Sequence, residues 1–254
     1  MSALARGLLL LLVLAAPAAG DTLHGRIYAA KSHRGASLYV VSIDRDTESG
    51  VWRASYRTAT GELVAEDELT LVDGHLQRYR YSRPNIGETA SVERVGDEIH
   101  FVQEIGDRRR ERRDKFDGTV TVGPTVILYI QEHWSALMNG REVRTRHCVL
   151  DHLRCFTFRL ALDRMRPAGP GLTVIRMTAV HPTVRAFVSP AYFVLTSDGR
   201  TLESVLSRVL PRVAEGEEGR PLEAELVIEA RSPPPADTPR RPSIVDEMGQ
   251  AGGG

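Results

Sequence analysis

Alternating apolar and polar positions run through the first half of the chain and predict antiparallel β-strands. Leu76, Tyr79 and Tyr81, for example, are interleaved with arginine and glutamine. Asp73-Gly74 and similar pairs supply the positive φ that tight hairpins need. Such a sheet has one dry face and one wet face. The predicted strands cover residues 23–30, 37–44, 51–58, 62–72, 76–82, 90–95 and 98–105.

Helical periodicity replaces this alternation between residues 124 and 139. Pro124 suits the first helical position, and Gly140 suits the residue just past the end. Because apolar residues cover most of its circumference, we expect this helix to be largely buried. One helical face carries Ile127, Ile130, Trp134, Leu137 and Met138.

The strand pattern then returns, which defines the fold class. Strands are predicted at residues 141–149, 154–162, 172–180, 191–196 and 221–230, while 201–210 fits a short helix or an irregular strand. The prediction is an α+β, mostly β fold: a curved antiparallel sheet, or half-barrel, wrapped around one main amphipathic helix at about 124–139.

The two ends of the chain differ from this central region. Arg6 followed by an apolar run and small residues predicts a secretory signal peptide at residues 1–20, with a membrane anchor as the alternative. Residues 232–254 are rich in proline and glycine and predict a disordered tail. The remaining residues, 21–231, form one β-rich domain. We therefore expect a periplasmic or secreted protein with no transmembrane segment after signal cleavage.

The charge balance argues against nucleic acid as a partner. The chain has 33 basic and 33 acidic residues, so it has no global field that would attract a polyanion. The local exception is the basic segment at residues 106–115, which we expect to be either an anion contact or a solvated loop or hairpin tip. Its candidate anion contacts are Arg108, Arg109, Arg110, Arg112 and Arg113.

The two cysteines lie in the segment RTRHCVLDHLRC, residues 144–155. Pairing Leu150 with Leu153 across a turn places Cys148 opposite Cys155, at a distance that a disulfide accepts. In an oxidising compartment the two thiols should pair, although free thiols remain an alternative. A zinc site is disfavoured because His147 and Cys148 point to opposite faces of a strand.

Motifs for catalysis are absent from the sequence. It contains no nucleophile elbow, zincin motif, P-loop or dinucleotide-binding glycine pattern, so we expect neither a catalytic site nor a cofactor. The acidic run Glu66-Asp67-Glu68 has charged neighbours and is interpreted as part of a wet sheet face. A hydrolase whose site is assembled from distant strands is a less favoured alternative.

A resemblance to a known group rests on the helix and on the segments that follow it, and the pairing of the two cysteines is not part of that pattern. Trp134, Leu137 and Gly140 belong to this pattern, as do the hairpin string from Leu150 to Arg159 and the segment at residues 184–205. Together they resemble a group of exported bacterial proteins of unknown function. That group is similar to the half-barrel fold of periplasmic lipoprotein carriers. The resemblance implies a curved sheet that wraps helices and holds acyl chains in its apolar concavity.

These patterns together favour a binding protein of the bacterial cell envelope. It would hold an acyl chain or another apolar small molecule between sheet and helix. The alternative is an assembly or interaction factor that meets an envelope protein through a sheet edge or the basic segment. The predicted lining residues are Ile127, Ile130, Trp134, Leu137 and Phe158.

Overall fold

The structure, a computed structural model, describes residues 21–232 except 31, 47, 117–119, 167 and 214–218. The predicted signal peptide lies outside these residues, and so does the predicted tail from residue 233 onwards. The last strand ends at Ser232, one residue beyond the predicted domain end. No helix among the described residues is long and apolar enough to cross a membrane.

A single curved sheet dominates the described region, which confirms the predicted fold class. Its strands follow chain order from β8 back to β1, continue with β15 and then run down to β9. Neighbours are antiparallel, apart from the parallel pair β9 and β10. The strands are β1 (Asp21–Ala29), β2 (Tyr39–Asp46), β3 (Val51–Arg57), β4 (Leu63–Val72), β5 (His75–Arg83), β6 (Glu88–Val95), β7 (Glu98–Ile105), β8 (Arg108–Lys115), β9 (Val120–Val122), β10 (Val143–Val149), β11 (Arg154–Leu162), β12 (Leu172–Ala179), β13 (Ala191–Thr196), β14 (Leu202–Val213) and β15 (Arg220–Ser232).

The sheet curls so far that its two edges approach each other without pairing as strands. Near one edge Arg146 forms an ion pair with Asp114, with 3.0 Å between Nη2 and Oδ2. Its other terminal nitrogen donates to the backbone oxygen of Lys115 at the end of β8. The turn after β9 lies against β5, because a Cβ on Gly123 would come within 2.9 Å of the Tyr79 ring. The sheet therefore encloses an interior with two facing walls.

Side-chain alternation gives this interior an apolar lining, as the sequence pattern predicts. Leu69, Tyr79, Val92 and Phe101 point inward from four consecutive strands. They pack against the cysteine hairpin of the opposite wall, which contributes Cys148, Leu150, Leu153 and Cys155.

The predicted helix is present but is divided into two. These are α1 (Thr125–Glu132) and α2 (Trp134–Met138), and a third short helix, α3, covers Pro182–Arg185. His133, at φ −99° and ψ 14°, leaves the helical conformation between α1 and α2. Ile130 and Leu137 are nonetheless buried together against β11–β13, so both pieces cover the same apolar surface.

Trp134 is held against the turn between β13 and β14. Its indole ring lies so close to Gly199 that a Cβ there would come within 2.3 Å of the ring. Gly199 also has a φ of 73°, a conformation that side chains other than glycine rarely adopt. Glycine is therefore required at this turn both by its backbone and by the packing of Trp134.

The cysteine hairpin forms as the spacing predicts. Cys148 is opposite Cys155 in the register of β10 and β11, and a disulfide joins them. Thr145 is opposite Phe158, and His147 is opposite Phe156. A short 3₁₀ turn, Leu150–His152, closes the hairpin with Leu153 at a positive φ of 48°. The predicted register and disulfide are both confirmed.

Three strands of the sheet, β8, β9 and β14, were not predicted as regular strands from the sequence. The basic segment is not a loop: only Gly106 and Asp107 form a turn, and Arg108–Lys115 pair with β7 as an edge strand. Charge-rich β8 lacks the apolar alternation that marks the other strands, so periodicity missed it. The three-residue β9 was too short to detect. The segment 201–210, for which the sequence allows a short helix or an irregular strand, belongs to the strand Leu202–Val213 near the middle of the sheet.

Candidate ligand-binding cavity

A cavity of about 580 Å³ lies between the two walls of the curled sheet. Strands β1–β5 form one wall, and α1 with β10–β15 forms the other. This volume falls within the range of roughly 300–1,000 Å³ that is common for small-molecule sites. The cavity exists because the sheet curls around more space than the short helices fill.

Most of the cavity surface is apolar. Ile27 and Leu226 contribute from the sheet's centre, and Met177 and Phe193 contribute from the wall beneath the helices. Ile27 is fully buried, and Phe193 is 4% exposed. An apolar chain placed here would lose its contact with water along most of its length, which is the main source of affinity for such ligands.

The predicted lining residues divide into two groups. Ile127 and Phe158 face the cavity. Ile130 and Leu137 instead lie in the core between the helices and β11–β13, where both are fully buried. Trp134 packs at the margin of that core against Gly199. The helix therefore contributes part of one cavity wall, and the sheet contributes more than the helical pattern suggested.

A buried carboxylate, Asp67, interrupts the apolar surface. It points inward from β4, between Ala65 and Leu69, and is 7% exposed. The hydroxyl of Tyr56 donates to its Oδ2 at 3.2 Å, and the hydroxyl of Tyr79 donates to the same atom at 3.1 Å. Burial raises the pKa of Asp67 to about 7; the two hydroxyl hydrogen bonds oppose this shift, and the charge of Glu66 adds to it.

This residue corrects the interpretation of the acidic run. Asp67 does not lie on a wet face but in the cavity wall. Glu68 points to the opposite face, yet it is also buried, since it pairs with Arg53 and Arg80 at 2.9 and 3.0 Å. The sequence did contain a signal for this position. Asp67 alternates with Ala65 and Leu69 along the strand, so all three side chains point to the same face.

A second polar cluster closes one end of the cavity. Arg83 donates to Glu88 at 2.7 Å and lies 3.4 Å from Asp151, while Arg212 pairs with Asp151 at 2.8 Å. Tyr81 and Gln103 both donate to the remaining oxygen of Glu88. Although burial opposes it, the two arginines hold the pKa of Asp151 below its ordinary value. Two cations balance two carboxylates here, so the cluster is neutral and structural in character.

The hairpin of β14 and β15 brings Arg212 to this cluster. Its described residues 207–213 and 220–223 extend beyond the last residues that pair with β13 and β1, which are Leu206 and Ala224. We call residues 207–213 and 220–223 the arm. Arg83 donates to the carbonyl of Leu210 at 2.8 Å, and Asn85 donates to that of Arg212 at 3.2 Å. The arm thus crosses the interior from the centre of the sheet to β5.

His147 lies in the cavity wall opposite β5 but does not act as a basic group near neutral pH. Burial lowers the pKa of its imidazole to about 4. One ring nitrogen, Nδ1, lies 3.0 Å from the hydroxyl oxygen of Thr121, and the ring meets Phe158 edge to face. In the part of the chain that is described, no group of three or more His, Cys, Asp or Glu side chains is arranged to hold a metal ion.

The five candidate anion-binding arginines lie on β8, away from the cavity. Arg109 forms ion pairs with Glu104 and Glu111, and Arg113 lies 3.8 Å from Glu98. Arg110 donates to Gln103 at 3.2 Å. Register places Arg108, Arg110 and Arg112 on one face of the strand and Arg109 and Arg113 on the other. The five residues therefore do not form one cluster.

Comparison with known proteins yields a structural likeness without an assigned activity. No family model matches the chain, and no curated protein matches it. The fold is similar to the crystal structure of a β-barrel-like protein of the domain of unknown function DUF1849 from Brucella abortus, with a TM-score of 0.42 and 8% identity. The match covers 86% of this chain and 99% of that one.

Proposed function

We propose that the protein is an exported binding protein of the bacterial cell envelope, which holds an acyl chain or another apolar ligand in the cavity. The observation that carries this proposal is the cavity of about 580 Å³ between the sheet walls, with a mainly apolar surface. The Cys148–Cys155 disulfide supports an oxidising compartment. The binding function requires no reacting group in the cavity.

A co-purifying ligand tests this function directly. We expect native mass spectrometry of protein exported to a bacterial periplasm and gently purified to show an added small mass. Ala191 lines the cavity, so Ala191→Phe should fill part of it and reduce the bound fraction at least severalfold.

The matched control is Val194→Phe. Val194 lies on the same strand but on its opposite face, so a phenyl ring there leaves the cavity volume unchanged. Circular dichroism would verify that both variants fold. A protein without any bound mass, which also fails to bind added apolar probes, would contradict the proposed function.

A second candidate, an assembly or interaction factor, is favoured by the edge strand β8. Among the strands that the structure describes, β8 pairs with β7 alone, and the Arg146 contact covers its other edge only at Asp114 and Lys115. The rest of that edge could accept an added strand. Charged side chains on an edge strand also protect against unwanted pairing, which is the competing explanation. Photo-crosslinking from position 110 in intact cells would yield one defined adduct if this function holds and none if it does not.

A further inference from the structure

We infer that the cavity ligand carries a cationic, hydrogen-bond-donating group, such as an ammonium, that pairs with Asp67. This inference rests on the proposed binding function and specifies the chemistry of the ligand. The class is therefore an apolar chain with an amino or similar head rather than a free fatty acid.

Among the described residues, Asp67 has no cationic partner of its own. Within the described ranges no ion pair joins it to an arginine, lysine or histidine. A buried carboxylate without such a partner is unfavourable, and proteins pair or neutralise it. Two tyrosine hydroxyls meet only Oδ2, and the carboxylate faces the cavity. A ligand cation is the missing partner.

The arginines that line the cavity already have contacts within the protein or lie at its margin. Arg83 is fully engaged by Glu88, Asp151 and the backbone of Leu210. Arg53 pairs with Glu68, and its side chain is 41% exposed. Arg200, with an 87% exposed side chain, lies out at the margin. The other two arginines of the cavity are engaged as well, because Arg45 stacks over the Trp52 ring at 4.4 Å and Arg208 donates to the carbonyl of Phe187. An anionic head group would therefore compete with contacts that these arginines already make, whereas Asp67 offers a buried carboxylate without a cation.

The surroundings of Asp67 make its charge responsive near neutral pH. Tyr56 and Tyr79 flank it from β3 and β5, Glu66 lies beside it on β4, and Tyr81 lies opposite it in the register of β4 and β5. The cationic groups of the neighbouring cavity wall are Arg83, which acts on Tyr56, and Arg45 on β2. The β9–α1 turn that packs on Tyr79 contributes Gly123, which is uncharged. His147 titrates near 4 and stays neutral between pH 6 and pH 8.

Three probes of equal chain length test the inference by calorimetry on the oxidised protein: decylamine, decanol and decanoate. At pH 8 we expect decylamine to bind at least tenfold more tightly than decanol, and decanoate to bind most weakly. Decylamine affinity should fall about tenfold from pH 8 to pH 6 as Asp67 is protonated, because an alkylamine with a pKa near 10 stays charged throughout.

Asp67→Asn should remove the preference for decylamine and its pH dependence, while decanol still binds. The matched control is Glu66→Gln, which removes one negative charge at the adjacent position on the opposite face and should keep the preference. Decylamine and decanol binding equally in the unmodified protein, or decanoate binding most tightly, would overturn the inference while leaving the binding function intact. Failure of all three probes would overturn both.

Discussion

A single inward-facing carboxylate determines the chemistry of this cavity. Asp67 lies where the alternation of β4 calls for an apolar side chain, between Ala65 and Leu69. Such a residue has a cost for stability, because its ionisation in a buried site is opposed by lost hydration. Binding sites often contain residues that lower the stability of the fold. The effect on stability can be measured without knowing the ligand.

We expect Asp67→Asn to stabilise the ligand-free protein at high pH. The folded pKa of about 7 exceeds an unfolded value of about 3.9, so ionisation of Asp67 opposes folding. The resulting loss of unfolding free energy is absent below about pH 4, grows between pH 4 and pH 7 and is complete above pH 7. In urea unfolding, the free energy of unfolding of Asp67→Asn should therefore rise relative to that of the unmodified protein by up to about 4 kcal/mol from pH 4 to pH 8.

Glu66→Gln serves as the control for this experiment, since its carboxylate points out of the cavity. The free energy of unfolding of this variant, relative to that of the unmodified protein, should change little over the same pH range. A pH-independent difference for Asp67→Asn would show that Asp67 has an ordinary pKa in the folded protein.

The cysteine hairpin is the element that local sequence determines most completely. Leu150 to Leu153 form a tight turn, and alternation on either side brings the two cysteines together. Every pair in this register is a neighbour across one turn, so no distant part of the chain is needed to specify it. The helix of residues 124–139 behaves differently, because His133 divides it where Trp134 turns to pack on Gly199.

Removing the disulfide should weaken the fold moderately. Because the closed loop is short, with a sequence separation of seven, replacing both cysteines by serine should lower the unfolding free energy by about 2 kcal/mol. Native protein should react with no thiol reagent before reduction, and reduced unmodified protein should match the double variant. Two labels on the native protein would refute the disulfide.

At the scale of the whole molecule, the arm joins the centre of the sheet to β5. Arg212 is 7% exposed and supplies one of the two cations that balance Glu88 and Asp151. Together with the Arg146–Asp114 contact near the sheet edges, this cluster links strands that are far apart in the curled sheet. The shape of the cavity therefore depends on contacts between residues far apart in the chain.

Arg212→Met should destabilise the protein by roughly 3–5 kcal/mol, since removing one partner of a buried ionic cluster leaves a carboxylate without compensation. Arg208→Met, on the same strand but exposed, is the control and should change stability by less than about 1 kcal/mol. Equal unfolding midpoints in urea for the two variants would show that the Arg212 contacts of the arm do not stabilise the curled sheet.

The sequence by itself determined the elements whose signals are local: most strands, the amphipathic helical segment, the hairpin register and the disulfide. Alternation and turn chemistry act over a few residues, so they can be recognised without the rest of the chain. Charged β8 and short β9 carried too little apolar pattern to be recognised.

Only the tertiary structure decided how far the sheet curls, which apolar residues face the cavity and which are packed behind it. Ile127 and Ile130 share one helical stripe, yet one lines the cavity and the other is buried in the core. Asp67 likewise changes from a solvated acid to a buried one only when β3 and β5 place Tyr56 and Tyr79 beside it. Burial and charge pairing depend on residues that are distant in the chain, and periodicity carries no information about them.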